Sequence, residues 1–193
     1  MNPVTHLLVG WTLAQTESAP SAHRNRAIIA LAGVAPDLDG LGIIPEFLTR
    51  NSQHPLAWFT EYHHILGHNI TFAAATTAAA YFLSGRNWKT TVLAAVSFHL
   101  HLLCDILGAR GPDGYQWPIP YLLPFSHRLD ITWSGQWALN AWPNFAITLA
   151  LLVTTFYFAW KRGYSPLEMV SKKADVAFIA ALWARFGMPA RKQ

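Results

Sequence analysis

A single cysteine, Cys104, stands in the 193 residues, which excludes an internal disulfide framework and a cysteine-based zinc site. Charge is scarce: 12% of the residues are Asp, Glu, Lys or Arg, against about 25% in an ordinary soluble domain. Only ten residues are acidic, so any carboxylate in an apolar setting carries weight. No basic stripe interleaved with aromatics is present, which argues against nucleic-acid binding. No alternating strand pattern and no internal repeat is found, which points away from sheets and repeat arrays. The apolar start lacks the basic region and cleavage site of a signal peptide, and cleavage there would remove His6.

What is present instead is apolar. Hydrophobic residues make up 52% of the chain, Trp occurs nine times, and the mean hydropathy is +0.21. The length suffices for one domain with a sizeable core. These features suit a protein in or on a membrane. The net charge of +4 is unevenly spread. From Lys161 onward, Lys161, Arg162, Lys172, Lys173, Arg185, Arg191 and Lys192 are opposed only by Glu168 and Asp175. A basic tail after an apolar run suggests a cytoplasmic end against anionic lipid, and a solvated tail fits equally well.

Helical spacing dominates. Residues 1–15 and 24–34 read as apolar helices, followed by the Pro- and Gly-punctuated G-V-A-P-D-L-D-G-L-G, a loop that carries Asp37 and Asp39. Residues 43–59 are mixed, with breaks at Pro45 and Pro55. E-Y-H-H-I-L-G-H-N leads into an Ala/Thr-rich helix at 70–83, and residues 88–107 form a further helix. Residues 108–140, rich in Gly, Pro and Trp, form a long structured loop, and loops of that length are usually functional. Residues 145–160 are the cleanest apolar run, and 166–186 read as one amphipathic helix. A spanning helix needs roughly 20 apolar residues. Both 70–83 and 145–160 fall short, and the helix through 99–105 carries ionisable groups. Short tilted spans and a bundle partly sunk in the bilayer both remain open. The expectation is an all-α helical bundle, partly membrane-embedded, with a polar site between helices. Residues 1–140 would form the site-bearing part, and 141–193 a membrane-associated helix and a basic amphipathic C-terminal helix.

The chemistry centres on S-F-H-L-H-L-L-C-D, residues 97–105. A buried carboxylate without a partner is costly. On a helix His101 and Asp105 share a face, while His99 points away. Imidazole and carboxylate converging on one point suit a divalent metal. His6, the Asp37/Asp39 pair and the group His63, His64 and His68 add further donors. Ionisable groups on membrane helices are functional candidates by default. Each has a plainer reading taken alone: His6 as a core histidine, P-D-L-D-G as a turn and helix cap, and His63-His64 as a surface pair. Jointly they favour a metal site. Without thiolate the donor set suits zinc, with manganese or iron also compatible. The number of donors exceeds one tetrahedral shell, so two metals fit. Paired metals clamp a phosphoryl transfer and activate water near neutral pH. One Asp of the 37/39 pair would bridge the metals or take the proton.

With T-H-L-L-V-G, G-V-A-P-D-L-D, H-H-I-L-G-H-N, H-L-L-C-D and P-Y-L-L-P-F-S in that order, the chain resembles the bacterial inner-membrane-associated metal-dependent hydrolases, also labelled LexA-binding. That family is distantly similar to zinc-dependent phospholipase C. The motifs cover roughly the first two-thirds of the chain. The resemblance implies His6, one or both of Asp37 and Asp39, His63, His68, His101 and Asp105 as metal ligands. It also implies hydrolysis of a small-molecule or lipid phosphoester at the inner membrane. His64 departs from the family, which more often has Arg there. It is assigned behind the ligands, with Asp39 and His64 as the catalytic pair. His99 and His127 are possible extras. No surface for a protein partner such as LexA is identified. Two other readings compete: a bis-histidine haem protein, against which the carboxylates argue, and a non-catalytic membrane or partner-binding protein whose polar cluster is structural.

Overall fold

The computed structural model describes residues 1–17, 22–111 and 114–189. Among these, the chain forms eight α-helices, two 3-10 segments and one pair of two-residue strands. Helix α1 spans Pro3–Ala14 and α2 Ala22–Ala32. A 3-10 segment, Ala35–Gly42, leads into α3, Ile43–Thr49, and then α4, Trp58–Tyr62. Two longer helices follow, α5 at Ile70–Leu83 and α6 at Trp88–Gly108. Strands β1, Ile119–Pro120, and β2, Asp130–Ile131, pair antiparallel within the loop before α7, Trp142–Arg162. The chain continues through a second 3-10 segment, Pro166–Met169, to α8, Lys172–Phe186.

Polar caps set the helix starts. Asn2, Asn69 and Asn87 each accept a hydrogen bond from the backbone N–H three residues on, at Thr5, Phe72 and Thr90. Each supplies a partner for an otherwise orphaned first-turn donor. The P-D-L-D-G stretch is a 3-10 helix rather than an open loop, because Pro36 sits at its start, where no N–H is needed. Pro45 falls within the first turn of α3 and does not break it. Residues 166–186 are two elements rather than one amphipathic helix. Ser171 interrupts them and caps α8 through Ala174 N–H.

Helices α1, α2, α5, α6 and α7 run alternately up and down between two poles. Packing of α1 on α2 and α6 is close because Gly10 and Gly33 lie against Ser97, where an added Cβ would meet the hydroxyl at 2.7 Å. Helix α7 joins the bundle through Thr148, hydroxyl to hydroxyl with Thr5 at 2.6 Å, and through Asn144, whose amide donates to Gly108 O at 2.9 Å. Both α6 and α7 are 21 residues long and apolar enough to cross a membrane. For α7 the helix extends beyond the apolar run at both ends, so the length shortfall expected from 145–160 disappears. Its outward face carries exposed Phe145, Leu149, Val153 and Phe156, the inverse of a water-soluble helix and suited to lipid. Helix α2 and the 35–49 segment form a pair bent by 50° that together would make a third span. Exposed Leu41, Ile44, Phe47 and Leu48 extend the apolar surface to the rim of that pole.

Candidate metal centre

Asp105 is the hub. It lies on α6, three residues before the end of that helix at Gly108, and is 2% exposed. His101, one turn earlier, points its Nε2 at Asp105 Oδ2 at 3.0 Å, the helical i,i+4 geometry expected from the sequence. His101 Nδ1 donates to Gly33 O at 2.8 Å. A carbonyl only accepts, so this bond fixes the tautomer and leaves Nε2 with a free lone pair. From α1, His6 stacks on the His101 ring at 3.7 Å between centroids and brings its Nε2 to 3.2 Å from Asp105 Oδ1. The Met1 amino group also contacts that oxygen. From the 3-10 segment, Asp37 reaches to 3.7 Å from His101 Nε2.

The other side of Asp105 faces the segment between α4 and α5. Here the chain is not helical. His63 is extended (ψ 136°) and His64 is left-handed (φ 67°), so consecutive imidazoles swing to different sides. Asn69 ties the segment down by donating to Ile65 O and Leu66 O. Gly67 passes so close to Pro36 that a Cβ would collide with its carbonyl oxygen. That approach lets Gly67 N–H donate to Asp39 Oδ2 at 2.9 Å. Asp39 also accepts from His68 Nδ1 at 3.1 Å and His63 Nδ1 at 2.7 Å. His68 Nε2 is thereby turned toward His101 Nε2 at 3.1 Å and Asp105 Oδ2 at 3.4 Å. His64 stacks on His68 with centroids 4.4 Å apart, and its Nε2 lies 3.9 Å from Asp105 Oδ2.

Two groups of donor atoms result, each converging within 4.8 Å: His6, Asp37, His101 and Asp105, and His64, His68 and Asp105. Asp105 belongs to both. The residues fit metal ions by the chemistry of their unmet atoms. Both ring nitrogens of His6, Asp37 Oδ2, His64 Nδ1 and Asp105 Oδ2 are buried without a hydrogen-bond partner. Buried lone pairs left so cost roughly 1–3 kcal/mol each, and a shared cation satisfies several at once. Two imidazole nitrogens face each other across 3.1 Å, a separation spanned by a proton on His68 in the metal-free protein. Burial alone pushes His68 down, but the Asp105 and Asp39 carboxylates beside it outweigh this and hold it up at about 9. Burial pushes His64 well below the usual imidazole range and keeps it neutral, the state a metal ligand needs.

The sequence expectation set His63 among the ligands and His64 behind them; the structure places His64 within a donor group and His63 outside both. His63 and Asp39 stand outside both donor groups and act on them through hydrogen bonds. Both oxygens of Asp39 are occupied by donors, Oδ1 by His63 and Oδ2 by His68 and the Gly67 N–H. Asp105 is the carboxylate common to both donor groups. The left-handed turn at His64 is the reason that His64 rather than His63 joins one of them, and no helical spacing rule reports it. His99 is outside the cluster, bonded to Ala95 O and Tyr121 Oη. A bis-histidine haem needs imidazoles on opposite faces of a flat macrocycle. Here imidazoles face one another directly, with Asp105 beside them.

Access comes from a cleft of about 310 Å³ whose walls include His63, His64, Tyr115, Trp117, His127 and Asp130. The 108–140 loop supplies most of this wall, and Trp117 packs edge-on against both His63 and His64. His127 is therefore at the entrance, not among the donor groups.

The chain belongs to the YdjM inner membrane protein family, matched over residues 1–186. The match runs past the two-thirds covered by the sequence motifs and takes in α7 and α8. No curated protein and no solved structure matches the chain.

Proposed function

We propose that this inner-membrane protein is a metal-dependent hydrolase acting on a phosphoester or lipid-like substrate, with two zinc ions at the centre. The observation that carries this reading is the Asp105 carboxylate shared between two sets of buried, unpartnered donor atoms. His6, Asp37, His101 and Asp105 provide enough donors to close the shell of one cation. His64, His68 and Asp105 provide three and leave a position open, the division that separates structural from catalytic zinc sites. His64 also lines the cleft, so the open position faces the substrate entrance. When bound, paired cations polarise a phosphoryl oxygen and acidify a water molecule.

The chain's own residues do the rest. Asp39 holds His68 in its ligating tautomer, as carboxylates behind ligating histidines commonly do. The same carboxylate holds His63 by Nδ1, leaving Nε2 in the cleft wall to accept a proton from the attacking water and return it to the leaving group. Trp117 and Tyr115 screen the reacting groups from bulk water. An apolar groove of about 400 Å³, walled by Ile28, Leu31, Leu38, Phe72 and Leu83, ends at the 3-10 segment that carries Asp37 and fits one acyl chain of a lipid. The basic C-terminal tail lies on the cytoplasmic side, against anionic lipid.

The test is bound metal by elemental mass spectrometry on detergent-purified protein, beside a His101→Ala/Asp105→Ala variant. Near-stoichiometric zinc in the parent and none in the variant is the expected result, followed by turnover of phosphodiester and phospholipid substrates. Manganese or iron would change the metal and keep the reading. No metal in the parent after reconstitution would end it.

A further inference from the structure

Charge is sorted by pole in a way the linear sequence hides. At one pole meet the end of α1, the start of α2, the 84–87 turn, the start of α6, the end of α7, and α8. They are knitted by Lys89 Nζ donating to Thr16 O at 2.6 Å, Arg24 donating to Ser84 O at 3.3 Å, Arg162 donating to Gln15 O, and the Arg26–Glu168 pair. Nine of the twelve Lys and Arg among the described residues stand there, with Glu17, Glu168 and Asp175. The remaining three, Arg50, Arg110 and Arg128, stand at the opposite pole with Asp37, Asp39, Glu46, Glu61, Asp105 and Asp130. Both candidate spans agree on the direction. Helix α6 carries Lys89 at its start, and the antiparallel α7 carries Lys161 and Arg162 at its end.

An excess of Lys and Arg close to the ends of spanning helices marks the cytoplasmic side, and acidic residues count for little in that bias. Asp105 lies sixteen positions beyond Lys89 on the same helix, about 24 Å at 1.5 Å per residue. Across a hydrocarbon layer of about 30 Å, that puts the donor cluster close to the far interface when Lys89 is at the near one. The cleft beside His64, with Tyr115, Trp117, His127 and Asp130, opens from the 108–140 loop at the same far pole.

We propose that the centre opens on the extracytoplasmic face of the inner membrane, so that its substrate is the phosphoester head of an amphiphile in the outer leaflet of that membrane. The placement rests on charge and helix direction alone; the substrate class rests on the hydrolase reading. A substrate there would be supplied by a reaction or transporter that delivers the phosphoester to that leaflet, and its polar product would be released outside the cytoplasm.

The experiment is accessibility of single cysteines in a Cys104→Ala background, using a membrane-impermeant maleimide on intact spheroplasts and again after lysis. Leu129→Cys reports the exposed site-pole loop, and Ala174→Cys the exposed start of α8. The expected result is that Leu129→Cys reacts in intact spheroplasts and Ala174→Cys reacts only after lysis. The opposite pattern would overturn the placement, and so would equal reaction of both variants before lysis, which would mean mixed orientations. Bound metal is measured on the same preparations. Outward labelling of a protein that holds no metal would leave the placement standing and sink the hydrolase reading instead.

Discussion

Two buried polar clusters sit at opposite poles of the bundle, and they differ in how their atoms are met. At the basic pole, Arg26 donates to both oxygens of Glu168, at 2.7 and 2.8 Å, and its guanidinium lies 3.7 Å over the Tyr164 ring. Asp175 there accepts from Ser165 N–H and Oγ–H at 2.7 and 2.6 Å. Donor meets acceptor, and the cluster is complete within the protein. At the other pole, both ring nitrogens of His6, Asp37 Oδ2, His64 Nδ1 and Asp105 Oδ2 are buried with no hydrogen-bond partner. The first cluster fastens the C-terminal segment onto α2. The second leaves buried polar atoms unmet within the protein, in groups that could hold a metal ion. Burial of polar residues is common to both, so burial by itself does not mark a site; unmet acceptors converging on one point do.

The comparison can be broken most severely at Asp105. Asp105→Asn removes the carboxylate common to both donor groups, and bound metal should fall from about two ions per chain to below one, read by elemental mass spectrometry. Full metal in this variant would show that Asp105 is not shared. Next in size is Arg26→Ala at the opposite pole. Leaving Glu168 buried and unpaired should cost about 3–5 kcal/mol and lower the melting temperature in detergent, with metal content unchanged. The double change Arg26→Met/Glu168→Leu should regain most of that loss, because a paired ion is replaceable by packing whereas a cation site is not.

A smaller effect is expected at Asp39→Asn, which loosens His68 and His63 without removing a ligand. Metal affinity should weaken about 10–100-fold in competition with a chelator, and an unchanged affinity would deny Asp39 its orienting role. The two poles should also differ in pH response. In the metal-free protein, His68 is raised from 6.5 to about 9, so its contribution to stability is full below pH 6.5 and is lost as pH rises through about 9. Metal displaces that proton, so the loaded protein should show no such decline, and metal affinity should rise over the same interval. Thermal melts with and without chelator check both. The smallest effect belongs to Lys89→Ala. Its 3.7 Å pairing with the buried Glu17 carboxylate is half exposed on the lysine side, so water screens it and its loss should cost about 1–2 kcal/mol, less than loss of the Arg26–Glu168 pair.

Much of this centre is legible from spacing wherever the backbone is regular. His101 and Asp105 share a face because α6 is an unbroken helix, and His6 enters on a helix that its own Asn2 cap begins. The legibility stops at 63–69, where the backbone leaves the helix and the left-handed His64 turns its imidazole toward the donor cluster. It stops again at Asp37 and Asp39. A two-residue spacing within a 3-10 helix sends one carboxylate into a donor group and the other behind the histidines. His127 and Trp117 carry no periodic signal, since their place in the cleft wall depends on how a long loop folds back.

The sequence by itself determined the solvent and the chemistry. Few charges, long apolar runs and flanking lysines and arginines dictate helices in a membrane, since only a helix satisfies its backbone there without help. Imidazoles and carboxylates in such helices dictate a polar centre. Only the tertiary structure decided which donor belongs to which group, that Asp105 joins them, and that positive charge collects at the pole away from them. Those are relations among residues up to 147 positions apart, and chain order carries no distance until the helices pack.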